Sequence, residues 1–287
     1  MKSYFKEVVI VTLAAGCQTS EPCKPLTEVE MRSPPVRTLD ALVVNTCNGY
    51  RTRVVKSEAE GLHDLKQLID TTRFEEAWAY NPESKVWFEI GTHETHSINT
   101  QGSFQAGAYI DSRWIQDSLP QSGTIYAVHI HPATRSEQEK DTERRLAAMG
   151  VTPNHPEYRL IAFNLSSMYQ VLKATPSEGD IETMVHSSIK NKNNGVKVIY
   201  RVVSEFGALD FASTPKGTEL FASQLNPAIS QYGLEVRLRI ERFLAEQAKT
   251  GVFLRTPPEQ ILQDASREAS DERITISFTP YSRLRKP

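Results

Sequence analysis

The residues best suited to chemistry stand together in His129-Ile130-His131-Pro132-Ala133-Thr134-Arg135-Ser136-Glu137-Gln138-Glu139-Lys140-Asp141. The stretch leading into them, residues 124–130, is apolar and rich in strand-forming side chains, which predicts a buried strand that Pro132 stops. In a strand, residues i and i+2 project to one face, so both imidazoles share a face at the strand's C-terminal end. An acidic residue from the first turns of a following helix can reach the same point. Two histidines and a carboxylate with one open position make the ligand set of a catalytic zinc, not a closed structural one. Such a metal lowers the pKa of water to about 7 and makes hydroxide available at neutral pH. Ser136 followed by Glu139 also has the form of a capping box, which gives Glu139 a purely structural alternative.

The elements that must position these groups follow from periodicity. Residues 39–45 read as a short strand, and 59–71 as a helix with Leu62, Leu65, Leu68 and Ile69 on one face. Ala77-Trp78-Ala79-Tyr80, the turn signal Asn81-Pro82-Glu83-Ser84, and Val86-Trp87-Phe88-Glu89-Ile90 predict a β-hairpin. A short helix is expected over 109–119, and a longer one from Ser136 to a stop at Gly150. Residues 158–164, 169–174, 196–203 and 208–211 read as strands. Beyond them lie helical patterns over 226–249 and 258–268 and a last strand over 273–279. The class is α/β or α+β, with a mixed central sheet flanked by helices and a more helical C-terminal extension over 213–287. The amphipathic stretch 234–244 is expected to pack against the core. His93 and His96 form a second histidine pair on a predicted loop, while His63, His155 and His186 read as ordinary helix or surface residues.

Over about residues 60–212 the sequence resembles the JAMM/MPN metallo-isopeptidases, in particular the bacterial JAB domains of the RadC-like branch. The family pattern is His-x-His-Pro, a short loop, then Ser-x-x-Asp opening a helix, with a Glu from an earlier strand. Here His129-Ile130-His131-Pro132 leads to Ser136-Glu137-Gln138-Glu139 across a shorter loop, with Arg144-Arg145-Leu146-Ala147 and Gly150 beyond. Glu75-Glu76 before Ala77-Trp78-Ala79-Tyr80 matches the place of the family's Glu, and residues 200–209 are similar to its closing strands. The resemblance implies a JAB/MPN (cytidine-deaminase-like) architecture over 39–212 and a zinc-dependent hydrolase that cleaves a peptide or isopeptide bond. It implies His129 and His131 as zinc ligands, with Glu139 or Asp141 as the third. Glu76, preferred over Glu75, would be the general base, and Ser136 would donate to the developing oxyanion. The rival expectation is a catalytically inactive binding or scaffold module on the same fold.

Composition narrows the partners. The 287 residues carry 33 Lys plus Arg against 35 Asp plus Glu, a net charge of −2, which gives no global reason to expect nucleic acid. No small organic cofactor is expected either; the expected partners are a peptide or protein substrate and a membrane. The membrane enters through the N-terminus: two lysines within residues 1–6, a mostly apolar run over 8–15, then Leu13-Ala14-Ala15-Gly16-Cys17. This looks like a bacterial lipobox, with residues 1–17 as a lipoprotein signal peptide and Cys17 as the lipidated first residue of the mature chain. Residues 18–38, rich in proline, read as an extended tether. The expected location is an outer-membrane anchor facing the periplasm, or the cytoplasm if the signal stays uncleaved. Of the three cysteines, Cys23 and Cys47 are then left in an oxidising compartment, where a disulfide is permitted.

Overall fold

A computed structural model describes residues 42–46, 49–69, 76–92, 109–110, 123–131, 135–193 and 195–284. The lipobox, the tether, Cys17, Cys23, Cys47, Glu75, His93, His96 and Pro132 lie outside the described residues. No helix among the described residues is long and apolar enough to cross a membrane.

The described strands form one mixed sheet. They are β1 (Leu42–Thr46), β2 (Gly49–Val55), β3 (Glu76–Asn81), β4 (Val86–Thr92), β5 (Tyr109–Ile110), β6 (Gly123–Ile130), β7 (Val196–Val203), β8 (Gly207–Ser213) and β9 (Ile274–Pro280). Their order is β1-β2-β4-β3-β6-β7-β8-β9, with β5 on β4. Neighbours are antiparallel except β6 and β7, which run parallel from Gly123↔Val196 to Ile130↔Val203. The expected hairpin over 77–90 is β3–β4, turning at Pro82–Lys85.

Strand alternation sorts the core onto two faces. Val128, Ile130, Trp78, Tyr80 and Val203 meet Leu62, Leu65 and Ile69 of helix α1 (Glu58–Ile69). Gly61 of that helix lies against the Trp87 indole so closely that a Cβ there would run into the ring. The opposite face carries Val202, Leu209, Phe211, Ile274, Ile276 and Phe278. It is covered by α3 (Tyr158–Lys173), α4 (Glu178–Asn191), α5 (Pro215–Ala222), α6 (Asn226–Lys249) and α7 (Pro258–Ala269). Residues 213–287, read above as an extension, thus share this sheet and core: β9 pairs with β8 along its length, and Val236, Ile240 and Leu244 of α6 are fully buried.

Two sequence expectations are corrected. Residues 158–164 and 169–174 are not strands but the single helix α3, whose buried Leu165, Met168, Tyr169 and Leu172 recur at helical spacing. Its aromatic and β-branched residues favour strands locally, yet burying one stripe against α6 favours the helix. Residues 109–110, expected to open a helix, pair with β4 as a short strand. Helix α2 (Arg135–Ala148) ends as expected: Gly150 adopts φ +68, and Val151 N–H donates back to the Leu146 carbonyl.

The parallel pair determines where chemistry can gather. Parallel neighbours need a crossover connection, and here α2, α3 and α4 supply it between β6 and β7. The last crossover helix runs back along the sheet, so its N-terminus returns to the C-terminal end of β6, the edge at which open α/β sheets bind ligands.

Candidate metal centre

His129 is the next-to-last residue of β6 and His131 follows its end; both are largely buried, and both are on the α4 side of the sheet. Their Nε2 atoms are 3.0 Å apart. Asp180, in the first turn of α4, completes the group: Oδ1 is 3.3 Å from His129 Nε2, and Oδ2 is 3.3 Å from His131 Nε2. Corners of a tetrahedron with bonds of about 2.0–2.1 Å lie about 3.3 Å apart, so these spacings suit three ligands of one zinc-sized ion. Among the described residues, this is the one cluster of His, Cys, Asp and Glu side chains able to hold a metal ion.

Helix ends fix two of the three members. Ser177 caps α4: its hydroxyl accepts from Asp180 N–H, and Asp180 Oδ2 accepts from Ser177 N–H at 2.7 Å. On the other side, the carbonyl of Lys173, last residue of α3, accepts from His131 Nδ1 at 3.0 Å. This carbonyl is one of the four that a helix C-terminus leaves without an internal partner. Because a carbonyl can only accept, Nδ1 carries a proton, and Nε2 is the ring atom that His131 turns toward Asp180 and His129. Burial by itself would raise the Asp180 carboxyl, but the charge of His129 and hydrogen bonds with both imidazoles hold it well below the usual carboxylate range. Two imidazole Nε2 atoms and a carboxylate thus converge on one point, a donor set that fits a metal cation.

The expected third ligands are elsewhere. Glu139 is exposed on α2 and pairs with Arg135 at 2.9 Å. Asp141 is buried but held by Arg144 and by Arg145 Nε at 2.6 Å, so its charge is already matched within its own helix. Ser136 is exposed in the first turn of α2. Glu76 is the first residue of β3, directly before Ala77, which pairs with His129.

Asp180 escaped the sequence reading because α2 and α3, joined in part by Gln138 Nε2 to Ser166 Oγ at 2.7 Å, come between it and the histidines along the chain. A signal was present: Ser177-Glu178-Gly179-Asp180, preceded by Pro176, is a helix-start motif with an acidic residue at its third position. No protein-family model, no curated protein and no solved structure matches this chain, so the functional reading rests on the geometry of this site.

Proposed function

We propose that this chain is a zinc-dependent hydrolase of the JAB/MPN type that cleaves a peptide or isopeptide bond, anchored outside the cytoplasmic membrane through lipid on Cys17. The observation that supports it is the meeting of Asp180 with His129 and His131 at the start of a helix that opens Ser177-x-x-Asp180. These residues resemble the two halves of the His-x-His-Pro and Ser-x-x-Asp pattern, with the α2–α3 hairpin between them in the sequence.

When bound, zinc would supply Lewis acidity and a nucleophile at neutral pH. His129 and His131 would hold it through Nε2, with the Lys173 carbonyl keeping the His131 ring in the ligating tautomer. Asp180 would contribute the negative charge and the third donor atom. Ser177 takes over the role expected of Ser136, its hydroxyl donating to the developing oxyanion. Glu76 would accept a proton from water and return it to the leaving amine.

Elemental analysis of the purified full chain tests the metal, with about one zinc per chain expected for a three-ligand site. His129→Ala combined with His131→Ala abolishes it. Glu76→Gln keeps the zinc and loses hydrolysis of a quenched peptide library; if Glu75→Gln does so instead, the base is the neighbouring residue. Stoichiometry near zero in the unaltered chain rejects the enzyme, and full zinc without hydrolysis selects the scaffold reading. Mass spectrometry of the membrane fraction checks the anchor, since an intact Met1 rules out lipidated Cys17.

A further inference from the structure

We propose that Arg237 of helix α6 is a positioning residue of the metal centre, acting through the turn of residues 172–177. This rests on reading His129, His131 and Asp180 as metal ligands. That turn has two jobs: its Lys173 carbonyl orients His131, and its Ser177 starts the helix that carries Asp180. A shift in the turn therefore moves two of the three ligands at once.

The turn is tied to the ends of both helices, with Ser177 capping α4. Thr175 Oγ1 donates to the Leu172 carbonyl at 2.7 Å, and Ala174 and Thr175 N–H continue the last turn of α3. A hold from outside these helices comes from Arg237, whose Nη1 donates to Thr175 Oγ1 at 3.0 Å, to the Pro176 carbonyl at 3.1 Å and to the Leu172 carbonyl at 3.4 Å. One guanidinium nitrogen thus gathers acceptors on both sides of Lys173. Arg237 is itself fixed by Glu241, one helical turn on, which accepts from Nε at 3.2 Å. Only a fifth of its side chain is exposed. A planar guanidinium suits this task where a lysine does not, because it presents its donors in a rigid fork. Helix α6 lies far along the chain from the histidines, so the C-terminal quarter of the sequence takes part in the site it appeared to trail.

Three readouts on the full chain test this: zinc affinity by competition with a chromophoric chelator, the visible absorption of the cobalt(II)-substituted protein, and the His131 tautomer of the metal-free protein by nitrogen NMR. Arg237→Met lowers zinc affinity by about 10–100-fold, the usual consequence of losing a supporting interaction around a ligand. It also alters the cobalt spectrum and shifts His131 away from the Nδ1–H form, and Arg237→Lys restores only part of each. Arg239→Met, on the same helix but bonded to Asp271, leaves all three unchanged. Thr175→Val removes one of the clamped acceptors at nearly constant volume and moves the readouts the same way, so it serves if Arg237→Met does not fold. Zinc affinity and His131 tautomer unchanged in both Arg237→Met and Thr175→Val overturn the proposal. Absence of zinc binding in the unaltered chain overturns the metal reading beneath it, and shows before any substitution is made.

Discussion

Asp180→Asn separates the His129–His131–Asp180 group as a ligand set from the one the local sequence suggests. The substitution removes one negative charge at constant size and keeps an oxygen that accepts Ser177 N–H, so α4 retains its cap. Each Asp180 oxygen stands 3.3 Å from an imidazole Nε2. Two unit charges about 4 Å apart interact by about 4 kcal/mol at an effective dielectric constant of about 20. A divalent ion at ligand distance gains more, while recovery of carboxylate hydration and residual donation from the amide oxygen offset part. The expected net loss is about 3–4 kcal/mol, which is about 100–1,000-fold in zinc affinity. Competition titration against a chromophoric chelator near neutral pH measures it, with circular dichroism to confirm that the variant is folded. Glu139→Gln and Asp141→Asn, titrated alongside, leave the affinity unchanged. Zinc binding by Asp180→Asn equal to that of the unaltered chain, or its loss in Asp141→Asn, refutes the reasoning.

Other expectations concern the frame around the site. Gly61→Ala drives a methyl into the Trp87 indole and destabilises by about 1–3 kcal/mol, outweighing the usual helix gain of alanine over glycine; urea unfolding followed by tryptophan fluorescence checks it, and a more stable variant contradicts it. Arg201 is buried on β7 between the partly exposed Asp210 and Glu58, so Arg201→Met removes the shared partner of two carboxylates and costs about 1–3 kcal/mol in the same assay, with zinc affinity retained. Burial raises the Asp271 carboxyl, but the Arg273 N–H, the Arg273 guanidinium, the Tyr232 hydroxyl and the Ile274 N–H together hold it below its ordinary value. A folded-state pKa below the unfolded value means the stabilisation is present above about pH 4 and is lost as pH falls through the folded value. Asp271→Asn is therefore less stable than the unaltered chain at pH 7, and the gap narrows in urea melts taken below about pH 4; a constant gap contradicts the assignment.

Much of the scaffold is legible without coordinates because its signals are local. Helices α1, α6 and α7 announce themselves by apolar spacing, the β3–β4 hairpin by its Asn-Pro turn, and the end of α2 by Gly150, since each depends on residues within a turn or two of one another. The pairing of His129 with His131 is legible for the same reason: strand alternation puts i and i+2 on one face whatever the rest of the chain does. Helix α3 was hidden because its residues suit a strand almost as well, and only the stripe it buries against α6 decides between them. The third carboxylate is a question of tertiary structure alone. Glu139 and Asp141 are near the histidines in sequence, but their arginine neighbours on α2 engage them. Asp180 comes from beyond two further helices, because the parallel pairing of β6 with β7 forces a crossover that brings the start of α4 back to the end of β6. The sequence by itself thus determined that two imidazoles would stand side by side at a strand end, while the path of the chain between parallel strands decided which carboxylate faces them and which arginine holds the turn behind.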